Sequence, residues 1–357
     1  MVQRLRRSVF LVLALLWSPL APAAEPAPAF APDPAIEAKV ADLLARMTLE
    51  EKVGQMYMAS WTPTMDGREI AEGTVGGLTS LPDGATMAKW QKVARSSRLG
   101  IPLLFGRDVI HGYRTLFPVP LGLAASFDPE VWRRSAEITA REARSQGMNL
   151  AFAPMVDVSR DPRWGRVVEG AGEDPFLARG FAEAWVRGLA AGDVAATLKH
   201  FVGYGAVRAG RDYAEADVSA MTLADVYLPP FRAGVKAGAQ AVMAAFGALD
   251  GVPGTVNRHM LRDLLKGEWG FDGLVISDWD ALRELLNHGI AADPAGAAEK
   301  AVLAGVDMEI FGRFYKERLP ELVRSGRVPM ALVDDAVARI LRVKFRLGLF
   351  DASRDPD

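Results

Sequence analysis

Short, nearly continuous apolar runs recur along this chain with longer amphipathic stretches between them, and that alternation limits its fold more than any other feature. The runs fall at 76–80, 102–105, 149–153, 195–200, 241–246, 273–277 and 305–310. Strands that read as unbroken apolar segments are those buried on both faces of a parallel sheet. The stretches at 129–146, 181–191, 223–237 and 260–268 carry helical patterns, and Gly147 and Gly238 stand where helices commonly stop. A strand–helix–strand order demands parallel pairing through crossover helices. Seven or eight such units in 357 residues predict an α/β fold closed as a (β/α)8 TIM-like barrel, with an irregular or incomplete first strand. Neither a glycine-rich dinucleotide fingerprint nor a phosphate loop is present to support a nucleotide-binding open sheet.

Composition narrows the setting. Arg4, Arg6 and Arg7 precede an apolar run from Val9 to Trp17, and Ala21, Pro22 and Ala23 offer small residues for cleavage, so residues 1–23 read as a secretory signal peptide. The apolar run is shorter than the roughly 20 residues that span a bilayer. After cleavage no membrane contact is expected, and the protein is expected in the periplasm or outside the cell. Residues 24–35 form a Pro/Ala-rich linker, leaving 36–357 for the barrel. The absence of cysteine excludes disulfides, thiolate metal sites and a cysteine nucleophile. With 42 basic and 44 acidic residues and no basic patch, nucleic acid is not an expected partner.

A barrel places its chemistry at the C-terminal ends of its strands, and the polar residues of this chain fall there. Asp108 follows one apolar run, Asp157 and Arg166 another, Lys199 and His200 close a third, and Asp278 ends a fourth. Taken alone, Asp278 reads equally well as the cap of a helix over 281–287 or as a functional carboxylate. Trp279 beside it favours the second reading, because aromatic faces stack on sugar rings; a core tryptophan is the plainer alternative. Lys199 and His200 at a strand end could be a salt-bridge partner and a core histidine, or hydrogen-bond donors to hydroxyls. The charged segment around Arg163, Glu169 and Glu173 reads first as loop ion pairs. The four histidines lack two-histidine helical spacing, no calcium-loop order occurs, and the Gly-x-Ser-x-Gly elbow is missing. No metal and no cofactor is expected.

Together these segments resemble glycoside hydrolase family 3, in particular its periplasmic β-glucosidases. The resemblance runs through 47–56, 101–112, 117–122, 161–175, 199–201, 257–280 and 343–350. It implies hydrolysis of terminal, non-reducing β-linked glucose with retention, through a covalent glycosyl-enzyme on Asp278. By the same resemblance Trp279 is a wall of the glucose subsite. Asp108, Arg166, Lys199 and His200 bind sugar hydroxyls, and Met243 is a further pocket contact. Lys199 and His200 are also expected to lower the Asp278 pKa. Related activities of the family, β-xylosidase and β-N-acetylglucosaminidase, are the alternatives. The histidine that single-domain N-acetylglucosaminidases place after the Lys-His pair is missing from 201–213.

Two departures stand out. Phe246 occupies a position where many relatives have tyrosine. The second α/β domain of two-domain relatives, which often supplies the acid/base glutamate, is expected to be absent from this chain. Glu284, six residues past Asp278, is the local candidate for that acid; a solvated helix position is its plainer reading. A sugar-binding domain inactive without its second domain is the competing expectation.

Overall fold

The structure, a computed structural model, describes residues 32–355, so the leader at 1–23 lies outside the described residues. Eight strands close a parallel barrel: β1 (Tyr57–Ser60), β2 (Gly77–Thr79), β3 (Leu104–Arg107), β4 (Leu150–Ala151), β5 (Ala195–Phe201), β6 (Ala241–Ala244), β9 (Leu274–Trp279) and β10 (Met308–Ile310). A small antiparallel hairpin, β7 (Ala248–Leu249) with β8 (Val252–Pro253), is inserted after β6. The (β/α)8 expectation holds. The first strand is short but regular: Met58 pairs with Gly77 on one side and Ile310 on the other. Its sequence, with Ser60 at one end and no long apolar run, gave little sign of it.

Local chemistry explains the helices. Four begin with an aspartate cap followed by proline: Asp33 before Pro34–Arg46, Asp128 before Pro129–Ser145, Asp174 before Pro175–Ala191, and Asp293 before Pro294–Ala304. In each the carboxylate accepts a backbone N–H of the first turn, while proline spends no donor where none is needed. Thr48 and Glu51 form a capping box that opens Leu49–Gln55, the helix leading into β1. The 223–237 stretch starts as a π-helical turn, Leu223–Tyr227, before the α-helix Leu228–Lys236. Pro229 and Pro230 have no N–H for the preceding turn, and Leu228 N–H reaches back to the Leu223 carbonyl.

The strands' apolar side chains are buried, with Leu78, Leu104, Leu150, Leu198, Val242 and Val275 all fully enclosed. Burial of each such side chain stabilises by roughly 1.5–3 kcal/mol. Outside the sheet, helices Pro129–Ser145 and Pro175–Ala191 cross closely through Gly188, where a Cβ would sit 2.3 Å from the Arg133 carbonyl oxygen. The N-terminal end of the barrel is closed by polar groups that stay enclosed. Lys344 donates to Gln55 Oε1 (2.6 Å) and the Gly76 carbonyl (2.8 Å), and Lys266 pairs with Asp307 at 2.6 Å. That end is built for stability. The opposite end is left for chemistry.

Candidate active site

Asp278 is the penultimate residue of β9 and is only 8% exposed. Its Oδ1 accepts the Trp279 backbone N–H at 2.6 Å. Its Oδ2 faces His200 Nε2 at 3.4 Å, beyond a good N–H···O distance, and has no hydrogen-bond partner within the protein. One carboxylate oxygen is therefore anchored and the other is open. Burial pushes the Asp278 pKa up to about 6, against the lowering influence of the Trp279 N–H, Lys199 and Arg166.

His200 lies wholly inside the barrel end. Its backbone N–H donates to Asp157 Oδ2 at 2.8 Å, and its Nδ1 lies 2.8 Å from the same oxygen. Burial holds the His200 pKa well below the ordinary value, with Arg166 and Lys199 adding repulsion, so the imidazole is neutral. Asp157 is pushed up to about 7 by burial, despite the His200 N–H and the charge of Arg166. Of the two residues expected to depress the Asp278 pKa, Lys199 does so and His200 does not. His200 carries no charge to do so, and desolvation outweighs Lys199.

Lys199 is buried, and its Nζ lies 2.5 Å from Asp108 Oδ1. The Asp108 side chain is 65% exposed just past β3, so this ion pair reaches from the barrel interior to its open face. The segment after β4 joins β5 where Val156 N–H meets the Lys199 carbonyl at 2.9 Å. Further on, Arg166 is held by Glu169 through two bonds of 2.9 Å, and its guanidinium lies 5.6 Å from the centre of the Tyr204 ring. Tyr204 in turn packs edge-on against His200 at 5.1 Å. Asp108, Arg166, Lys199, His200 and Asp278 are therefore gathered at one end of the barrel, as expected. Arg163 and Asp161 form a loop ion pair, in line with the plainer reading of that segment.

Trp279, 44% exposed, stacks on Phe311 with ring centres 4.5 Å apart and planes 13° off parallel. Phe311 and Asp280 both adopt positive φ (77° and 52°), conformations that cost a side chain about 1 kcal/mol or more. Strain at this rim accompanies an exposed aromatic face beside Asp278. Met243 is 2% exposed and packs within the main core in register with Ile276, so it offers almost no surface to a ligand. Glu284 sits on the helix Ala281–Asn287, and its Oε2 accepts from Asn287 at 3.1 Å. Its charge and that of Asp278 both bear on Tyr213, whose pKa is raised first by burial and then by these carboxylates.

Three residues were not singled out from sequence. Asp212 accepts from Tyr204 Oη (2.6 Å) and from Trp164 Nε1 (2.9 Å), locking the aromatic pair that carries Arg166 and His200. The only sequence signal was their place in loops after strand ends. Phe246 keeps a packing role against Tyr204 and Tyr213, at 6.2 and 4.5 Å. Among the described residues no cluster of histidine and carboxylate side chains is arranged to hold a metal, and no helix is long and apolar enough to cross a membrane.

The closed parallel barrel thus gathers at its C-terminal end an enclosed, half-open carboxylate, an ion pair and an exposed tryptophan. Residues 48–343 match the profile of the glycosyl hydrolase family 3 N terminal domain, and the chain belongs to that family. It is 44% identical over 326 residues to a periplasmic beta-glucosidase of Salmonella typhimurium, covering 88% of this chain and 43% of that protein. A putative beta-xylosidase of Formosa agariphila is 34% identical over 88% of this chain and 46% of its own length. The crystal structure of a beta-glucosidase from Listeria innocua in complex with isofagomine superposes with a TM-score of 0.84 at 41% identity, over 89% of this chain and 47% of that one. The chain thus spans less than half the length of these relatives.

Proposed function

We propose that the chain carries the nucleophile half of a retaining, exo-acting β-glucosidase, with Asp278 forming the covalent intermediate. The observation that carries this reading is the Asp278 carboxylate, anchored through Oδ1 and open at Oδ2 in a desolvated barrel end. In the first step Oδ2 bonds to the anomeric carbon as the glycosidic C–O bond breaks, and the leaving oxygen takes a proton from a general acid. In the second step the same group, now a base, takes a proton from water. The water oxygen bonds to the anomeric carbon, and the ester to Asp278 breaks. Lys199 with Asp108, Arg166 and His200 bind the sugar hydroxyls, and Trp279 offers its face to the ring. With Nδ1 engaged by Asp157, His200 presents its Nε2 alone to a hydroxyl.

Glu284 is the acid candidate within this chain, and a second domain of the kind the longer relatives contain is the other source. The leader and the named periplasmic relative support export to the periplasm or beyond. The named beta-xylosidase relative supports a pentoside as the second substrate reading, which a panel of aryl β-glycosides separates. The reading is tested by incubating the chain with a 2-deoxy-2-fluoro-β-glucosyl fluoride and mapping the modified peptide by mass spectrometry. The expected label is one glycosyl ester on Asp278. A label on another carboxylate, or none, refutes the assignment.

A further inference from the structure

The strand that carries Asp278 is out of step with its neighbour at the point where the carboxylate emerges. In the β9–β10 ladder Ile276 pairs with Met308 and Trp279 pairs with Ile310. Ser277 and Asp278 therefore stand opposite Glu309 alone, which is a β-bulge on β9. On the near side the ladder is regular, with Asp307 N–H donating to the Val275 carbonyl at 2.8 Å. Beyond the bulge it resumes with Asp280 N–H donating to the Ile310 carbonyl at 3.1 Å. Between them the Ile310 N–H, which an unbroken ladder would give to a β9 carbonyl, donates to Ser277 Oγ at 2.9 Å. The Ser277 hydroxyl in turn donates a hydrogen bond to the Asp278 carbonyl oxygen at 2.8 Å.

We propose that Ser277 is a positioning residue, its buried hydroxyl holding open the bulge that aims Asp278 into the pocket. The proposal rests on the reading of Asp278 as the nucleophile and adds what sets its direction. A hydroxyl inside a strand is often only a satisfied core group, and Ser277 is fully enclosed. Here, however, both of its bonds lie within the irregular step. It stands as a spacer between an N–H and a C=O that could otherwise bond to each other. Bulges bend the strand and re-aim side chains. Because strand side chains alternate between faces, a slip of one residue would turn Asp278 away from the pocket. Replacing the hydroxyl by a methyl group leaves two alternatives. Either an enclosed N–H and C=O lose their partner, or the bulge closes by direct pairing. Both move the carboxylate.

The test compares Ser277→Thr, Ser277→Val and Ser277→Ala in the full chain. Thr and Val have nearly the same shape and differ in the hydroxyl. Turnover of 2,4-dinitrophenyl β-glucoside is measured, together with circular dichroism to verify folding. Ser277→Thr should retain activity within about threefold of wild type. Ser277→Val and Ser277→Ala should lose about 100-fold in kcat with KM little changed, the size expected of a misplacement near 1 Å. Equal activities of the Thr and Val variants would overturn the proposal. Should Ser277→Val fail to fold, Ser277→Cys carries the test, since its thiol is a weaker donor and acceptor. An intermediate kcat for Cys supports the role, and a wild-type kcat refutes it. Wild-type chain and Asp278→Ala behaving alike would instead refute the nucleophile reading, and the role of Ser277 with it.

Discussion

Replacing Asp278 by asparagine should remove activity and make the protein more stable above pH 6. The carboxylate is 8% exposed, and burial lifts its pKa from 3.8 to about 6. Because the folded state holds the proton more tightly than the unfolded chain, the contribution of this group to stability is fully present below pH 3.8 and is lost as pH rises through 6. At about 1.4 kcal/mol per tenfold change in acidity, the ionised carboxylate costs about 3 kcal/mol at neutral pH. Asparagine keeps the acceptor for the Trp279 N–H and carries no charge, so that cost disappears. Urea denaturation of both proteins at pH 4 and pH 7.5 measures it. The difference in unfolding free energy should shift by about 2.5 kcal/mol in favour of Asp278→Asn between the two pH values, or about 4 °C in midpoint temperature for a domain of this size. The same ionisation predicts that turnover rises through pH 6, since only the carboxylate attacks. Parallel stability curves for the two proteins would refute the desolvation argument, and turnover by the variant would refute the nucleophile.

Glu284→Gln separates a local acid from one supplied elsewhere. If Glu284 protonates the leaving oxygen, aryl glucosides with poor leaving groups should slow by about 10²–10³-fold and activated ones hardly at all; equal effects on both would remove Glu284 from the mechanism. Lys344 donates to two neutral oxygens, Gln55 Oε1 and the Gly76 carbonyl, and burial lowers its pKa from 10.5 to about 7. The folded state then holds fewer protons than the unfolded chain between those values, so stability should rise with pH across that window. Lys344→Met should flatten the rise in urea titrations at pH 6.5 and pH 9, and an unchanged pH dependence would contradict it.

The fold was legible because its signal is local. Apolar runs buried on two faces and Asp-Pro helix starts are written in adjacent residues, and seven of the eight barrel strands were recognised from them. The eighth, Tyr57–Ser60, is held by Met58 pairing with strands far along the chain, so its own composition says little. The π-helical turns at Leu223–Tyr227 and His259–Glu268 were hidden for a related reason: 3.6-residue and wider periods look alike over so few residues.

The site was legible as a set of residues at strand ends but not as an electrostatic system. Sequence placed Lys199 and His200 beside Asp278 and counted both as cations. Whether a charge acts depends on what encloses it, and that is set by parts of the chain remote in sequence. Asp157 holds His200 from the segment after β4 and Tyr204 covers it from the loop after β5, while burial and the repulsion of Arg166 and Lys199 leave it neutral. Lys199 is partly neutralised by Asp108 from a third strand. What remains at Asp278 is desolvation opposed by one short backbone bond and two partly compensated cations. The carboxylate consequently titrates near 6 rather than in the usual carboxylate range. If Asp278 is the nucleophile proposed above, it is a stronger base than a fully stabilised carboxylate would be, and the cost falls on the stability of the barrel end that holds it.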